Sequence, residues 1–409
     1  MKRILLAVIA GVIFANLRPV ATAAEYRFTN IADTTMSSPS GPFTGFGFST
    51  DGAGFYNNPL AISGDRVAFH GSYQGGEGVF VGSGGTLTPI AKSGDEVPMG
   101  TFDRFSYIGI SGMRVAFLGR VLLPGPDDDG IFSGNGGPLE AIGAFGEATF
   151  PAIGDDAVAY EGFHLGSLGI WKNFQGSTTP IVLSGAMAPS GEFVNFRDPS
   201  IDNGRVAFTG FYSGGHGVFS SSGEIVTTIA KVGDNSPAGV LTSTGGASIS
   251  EGKVAFLGRY GGGGPTEAAV FIGGGGPLTL LAKGGDLTDY GALIGFDAPA
   301  ISHDTVAFHA RWNGGNGILV WNEGGLQTAI KTGDTLFGST LVNIGFRRFG
   351  LDPDGSGNLA FAYVLADGRL GVALAKPVPE PSALAMTVFA FLALIRFGRQ
   401  RIFFFRCNS

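Results

Sequence analysis

Two kinds of side chain recur at matched places along this chain, and together they could do one kind of chemistry. The aromatics are Tyr73, Tyr212, Tyr260 and Trp312, with His164 in a fifth copy; Arg120, Arg259 and Arg311 stand one residue before the same place in theirs. The carboxylates are Asp95, Asp234, Asp286 and Asp334, with Glu147 in another copy. A pyranose presents an apolar face to an aromatic ring and hydroxyl edges to a carboxylate, so these residue types on one surface suit sugar binding. The competing reading is architectural. Gly-Asp is a common turn pair, and aromatics also cap the apolar ends of strands.

Other chemistry finds little footing. The histidines are His70, His164, His216, His303 and His309, and none sits at a metal-ligand spacing. His70 and His309 occupy the same place in two copies of a repeat. No Gly-x-Ser-x-Gly elbow is present, and neither run of four glycines leads into a Gly-Lys-Ser/Thr phosphate loop. Asp352 and Asp354 open a stretch like a calcium loop, but Tyr363 stands at the twelfth position, where a bidentate Glu belongs. No catalytic residue, metal site or cofactor is therefore assigned. The formal net charge is −7 and the pI near 5.3, which argues against nucleic acid as a partner. Cys407 is the single cysteine, so no disulfide staples the chain.

The elements that must position these residues show as a repeat. Val-Ala-Phe begins at Val67, Val115, Val206, Val254 and Val306, with variants at Val158 and Leu359. Successive spacings are 48, 43, 48, 48, 52 and 53 residues. An Ile precedes the triplet by five positions in six copies: Ile62, Ile110, Ile153, Ile201, Ile249 and Ile301. After the triplet come a Gly-rich turn, a short Gly-Val-Phe strand, a second turn, and a strand such as residues 87–92 or 226–231. Each unit reads as four strands, rich in β-branched and aromatic residues and joined by tight turns. Four strands at a period near fifty match a propeller blade. The 71 glycines fit many tight turns. Residues 26–34 resemble an isolated outer strand, and the last copy, ending at residues 371–376, lacks one. The expected fold is all-β: a seven-bladed β-propeller closed by its N-terminal strand over residues 25–376, with an open solenoid as the alternative. In such a ring the aromatics and carboxylates named above share one face.

The unit resembles the bacterial tandem-repeat family named for an Asn-x-x-Gly-x-Val-Ala-Phe motif, whose members carry varied C-terminal anchors. Gly204 to Phe208 and Gly252 to Phe256 match its second half, while Ile201 and Ile249 replace the Asn. The resemblance implies fold and export.

Both ends read as processing signals. Residues 1–24 look like a signal peptide: Lys2 and Arg3, an apolar run from Ile4 to Ala15, and cleavage after Ala23 or Ala24. Residues 377–409 resemble the PEP-CTERM sorting signal. Pro379-Glu380-Pro381 precedes an apolar run from Ala383 to Ile395, expected as a sorting or anchor helix, and then Arg396, Arg399 and Arg401. The resemblance implies secretion machinery and a C-terminal sorting peptidase as partners, and contact with the membrane through the C-terminal segment before processing. The expected location is the cell envelope or the extracellular space, with or without a permanent anchor. The functional expectation is a non-enzymatic binding module for polysaccharide or protein. A carbohydrate-active hydrolase or lyase with carboxylates at the funnel face, and a purely structural matrix component, are the alternatives.

Overall fold

The structure is a computed structural model and describes residues 25–47, 59–98, 100–123, 128–142, 148–188, 191–223, 225–262, 264 and 267–378. The expected processing residues Ala23, Ala24, Pro379, Glu380 and Pro381, and the expected site residue Glu147, lie outside the described residues.

Each Val-Ala-Phe unit forms its own antiparallel sheet, and seven such sheets surround one axis. The fourth blade is representative. Its inner strand is Gly191–Asp202, followed by Arg205–Tyr212, Gly215–Ser221 and the outer strand Val226–Lys231. The last blade takes its outer strand from the other end of the chain: Tyr26–Asp33 pairs antiparallel with Leu370–Pro377, Tyr26 opposite Pro377. This closure leaves no blade with an unpaired third strand for another chain to pair with. No helix among the described residues is long and apolar enough to cross a membrane.

The triplet has its order for a packing reason. Side chains alternate across a strand, so Val67 and Phe69 face the preceding blade while Ala68 faces the following one. Phe69 accordingly packs with Ala360 and Ala362 of the last blade, and Ala68 lies under Phe102, Phe105 and Phe117 of the second. Ala207 receives Phe256 and Phe271 of the fifth blade in the same way. Large side chains of one sheet thus meet small ones of its neighbour all round the ring, which lets sheets close at interior density. Cross-strand rings such as Phe208 and Phe219, stacked at 5.9 Å, complete each layer.

A belt of hydrogen bonds joins the blades where inner strands turn into second strands. Side chains just past the repeated Ile accept backbone N–H groups from the next blade's turn. The bonds run from Gly112 to Ser63 at 2.9 Å, Asn203 to Asp155 at 2.7 Å, and Glu251 to Asp202 at 2.7 Å. They continue from His303 to Ser250 at 2.9 Å and Gly355 to Ser302 at 3.0 Å, and Gly64 closes the circle on Asp352 at 2.6 Å. Between the second and third blades Arg114 reaches across instead, donating to the Asp156 carbonyl at 2.9 Å. Asp352, which the sequence offered as a calcium-loop residue, is buried here and also accepts the Ser356 hydroxyl.

Candidate functional site

The repeated Ile residues line the axis, and the structure supplies the seventh. Leu351 bridges to Leu359 as Ile201 does to Val206, so it takes the place that a five-residue spacing does not reach. The ring of Ile62, Ile110, Ile153, Ile201, Ile249, Ile301 and Leu351 leaves only about 50 Å³ of free space on the axis. Arg348, from the last blade, crosses above it. Its side chain is only 2 % exposed, and it donates to the Pro199 carbonyl at 3.1 Å while lying 3.7 Å from Asp198. Among the described residues the Ile ring and Arg348 thus form a floor across the axis, and the funnel mouth is the side of that floor on which the inner strands begin.

The funnel mouth is built by bulges in the inner strands. Pairing with the second strand slips at Tyr107, Phe150, Asp198 and Gly246, each three residues before the repeated Ile. These residues have φ of 51°, 52°, 56° and 65°. At Gly246 a Cβ would come within 2.7 Å of Ala298, so glycine is required there. Tyr107, Phe150 and Asp198 hold the same left-handed backbone with full side chains, at a cost of roughly 1–2 kcal/mol each and less for Asp. Bulges of this kind re-aim side chains. Here the Tyr107 and Phe150 rings meet edge to face at 4.6 Å across the seam of the second and third blades.

Charged groups converge on the same mouth. Glu161, three places after the Val of its triplet, faces the fourth blade. Burial pushes its carboxyl up to about 7, against a hydrogen bond from Thr149 and the charge of Arg197, with Asp198 adding to the rise. Burial raises the Tyr107 phenol, and Asp198 and Glu161 add to that while Arg348 and Arg347 oppose it. In the sixth blade burial would raise Asp297, yet His309 at 2.8 Å, Arg311 at 3.0 Å and Arg347 outweigh it and hold the carboxyl at about 2. Several polar atoms in the surrounding wall are buried without a hydrogen-bond partner: His309 Nε2, Thr209 Oγ1, Thr244 Oγ1 and Arg348 Nη2. From Tyr107 and Thr149 a cleft of about 960 Å³ runs over the first two blades, lined also by His70, Glu77, Arg104, Arg120 and Asp129. His70 Nε2 lies 3.3 Å from Glu77, and burial of that carboxyl is outweighed by His70, the Phe105 N–H and Arg104, which bring it below its usual range.

The residues singled out by sequence sit on the same face but further from the axis. The fold brings two of the aromatics near their carboxylates: the charge of Asp95 acts on Tyr73 and that of Asp286 on Tyr260. Tyr73, Tyr212 and Trp312 are only 8, 6 and 6 % exposed, and Tyr260 is half-buried. Tyr73 and Tyr212 pack edge-on against Phe80 and Phe219, and Trp312 lies against Tyr290 at 5.5 Å. Asp95, Asp234, Asp286 and Asp334 each accept the N–H of the lysine three residues back, at 2.8–3.0 Å. Lys231 and Lys331 also pair with their aspartates through the side chain. His164 packs on Trp171, with ring centroids 4.9 Å apart. These contacts fold the blade tips.

Sequence reading missed Tyr107, Phe150, Glu161, Arg197, Asp198, Asp297, Arg347 and Arg348. Among them only Arg197 and Arg347 repeat in type, each four places before its blade's axial Ile or Leu. For all but Glu161 the available signal was a bulky or charged residue where the fifth copy has Gly245 or Gly246.

Fold and funnel together define a seven-bladed β-propeller with a floored axial mouth. Within that class, the chain belongs to a family of unknown function (DUF7453), which it matches over residues 30–385. It is similar in fold to a prolyl endopeptidase, at 11 % identity and a TM-score of 0.49, covering 78 % of this chain and 50 % of that one. The acylaminoacyl peptidase of Pyrococcus horikoshii gives 10 % identity and a TM-score of 0.49, covering 81 % and 54 %. The β-propeller domain of the Trilobed protease from Pyrococcus furiosus gives 14 % and 0.38, covering 68 % and 95 %. The chain spans about half the length of the two peptidases. No curated protein matches it.

Proposed function

We propose that this is an exported, non-enzymatic binding protein that holds polysaccharide at the funnel mouth. The observation that carries the reading is the trio Tyr107, Phe150 and Asp198, kept at one register in a backbone conformation that favours glycine. Strain of this kind persists where a side chain is needed in place. Two aromatic rings beside carboxylates and guanidinium groups suit a sugar's apolar face and hydroxyl edges. The cleft over the first two blades extends the surface in one direction, as a polymer requires. The path of the chain supports display. Tyr26 and Pro377 lie side by side, with Val378 donating to the Glu25 carbonyl at 2.7 Å, at the face opposite the funnel. A C-terminal anchor of the kind the sequence suggests would hold the mouth outward; in this reading secretion machinery and a sorting peptidase are the partners, on the strength of the sequence alone. The test is a glycan array with the full chain and with Tyr107→Gly/Phe150→Gly. Retained binding of the same glycans by the double variant overturns the reading.

One observation favours a second reading. Glu161, whose carboxyl burial raises to about 7, feels the charge of Asp198, which Arg348 approaches to 3.7 Å. A carboxyl raised by burial near a second carboxyl is what a carbohydrate hydrolase uses. Sugar release from a bound polymer, lost in Glu161→Gln, would establish that reading over pure binding.

A further inference from the structure

The funnel mouth differs in charge from the chain that forms it. The chain has a formal net charge of −7. At the mouth, Arg197, Arg311, Arg347 and Arg348 come from the fourth, sixth and last blades and face Asp198 and Asp297. Arg348 and Arg347 both act on Tyr107 along with Asp198 and Glu161, so these charges share one small volume. Arg347 also reaches Asp297, which links the Arg311–His309 side of the mouth to it. Burial raises the Glu161 carboxyl to about 7, so this third carboxyl is only part-ionised near pH 7. A concave, low-dielectric site focuses whatever charge remains. Arg197 is exposed and lies over the Phe211 ring at 5.6 Å, and Arg311 is 46 % exposed, so both can meet a ligand. Arg348, fully buried with Nη2 lacking a hydrogen bond, acts from beneath.

We propose that the polysaccharide taken at the funnel mouth is acidic, a polyuronate whose carboxylates are received by Arg197 and Arg311 while a sugar face rests on Tyr107 and Phe150. The proposal rests on the binding reading above and adds the class of ligand. Guanidinium groups match a planar carboxylate with two parallel hydrogen bonds. A neutral glucan would leave the excess positive charge of the mouth unanswered. A sulfated polymer shares the negative charge but offers tetrahedral sulfate in place of a planar acceptor.

The test is titration of the full chain with polygalacturonate, dextran and dextran sulfate at two salt concentrations, with Arg197→Gln/Arg311→Gln and, as a control on the opposite face, Arg66→Gln. The expected result is polygalacturonate binding at least tenfold tighter than dextran and tighter than dextran sulfate, weakening with salt. The double variant should lose at least tenfold with an unchanged circular dichroism spectrum, and Arg66→Gln should bind as the parent does. Equal or tighter binding of dextran overturns the acidic-ligand inference and leaves the binding reading standing. Tightest binding of dextran sulfate, or equal losses in the two Arg variants, shows attraction by charge alone and overturns the carboxylate assignment. If no polymer of any kind binds, here or on the array, the binding reading itself falls.

Discussion

Replacing Tyr107 with glycine and, separately, with alanine asks whether the funnel mouth stores backbone strain. At an ordinary exposed strand position glycine is the worse choice by roughly 0.5–1 kcal/mol, because it loses more chain entropy on folding. Val240, exposed and regularly paired with Asn235 on the inner strand of the fifth blade, is such a position and serves as the reference. At Tyr107, with φ at 51°, alanine keeps the left-handed penalty of about 1–2 kcal/mol and glycine sheds it. Both variants lose the edge-to-face contact with Phe150, a term of about 0.5–1.5 kcal/mol that cancels in the comparison. The order should therefore invert: Tyr107→Gly should be more stable than Tyr107→Ala by about 0.5–1 kcal/mol. Urea midpoints for the four variants, compared at constant slope, measure this. The same inversion is expected at Phe150. If alanine is ahead at Tyr107 as it is at Val240, the strain argument fails, and the case for a built mouth loses its main support.

Four further outcomes are expected. Asp352→Ala should cost about 1–3 kcal/mol, since it orphans the Gly64 N–H, and hydrogen exchange should rise selectively at the seam of the last and first blades; uniform exchange would contradict the belt. Deleting residues 25–34 strips the outer strand from the last blade, so the product should aggregate or resist refolding, as light scattering would report; a monomeric, cooperatively folding product would refute closure by this strand. The Glu161 carboxyl, raised to about 7 amid Thr149, Arg197, Asp198 and Tyr107, favours the proton in the folded state; stability should fall as pH rises from the unfolded value of about 4.5 through 7, and Glu161→Gln should flatten that slope in melting curves. Asp234→Ala should lower stability by about 0.5–1.5 kcal/mol, through the lost Lys231 N–H bond, and leave glycan binding unchanged; loss of binding in a folded variant would return the site to the blade tips.

The sequence alone determined the number of blades, the order of strands within each, and the closure by residues 26–34. Those follow from local periodicity: Val-Ala-Phe, its preceding Ile and its glycine turns repeat because every blade solves the same packing problem against the next. The tertiary structure decided which places matter beyond packing. Leu351 replaces the seventh Ile through a longer turn, so spacing could not find it. Asp352 looks like a metal ligand in sequence and becomes the last link of the inter-blade belt. Asp95 and Asp234 look like ligand groups and turn back onto their own lysines. Tyr107, Phe150, Glu161, Asp198 and Arg348 meet only because four different blades converge on one axis, across as many as 241 residues from Tyr107 to Arg348. A periodic pattern reports what blades have in common, whereas the funnel mouth is made of the positions where they differ.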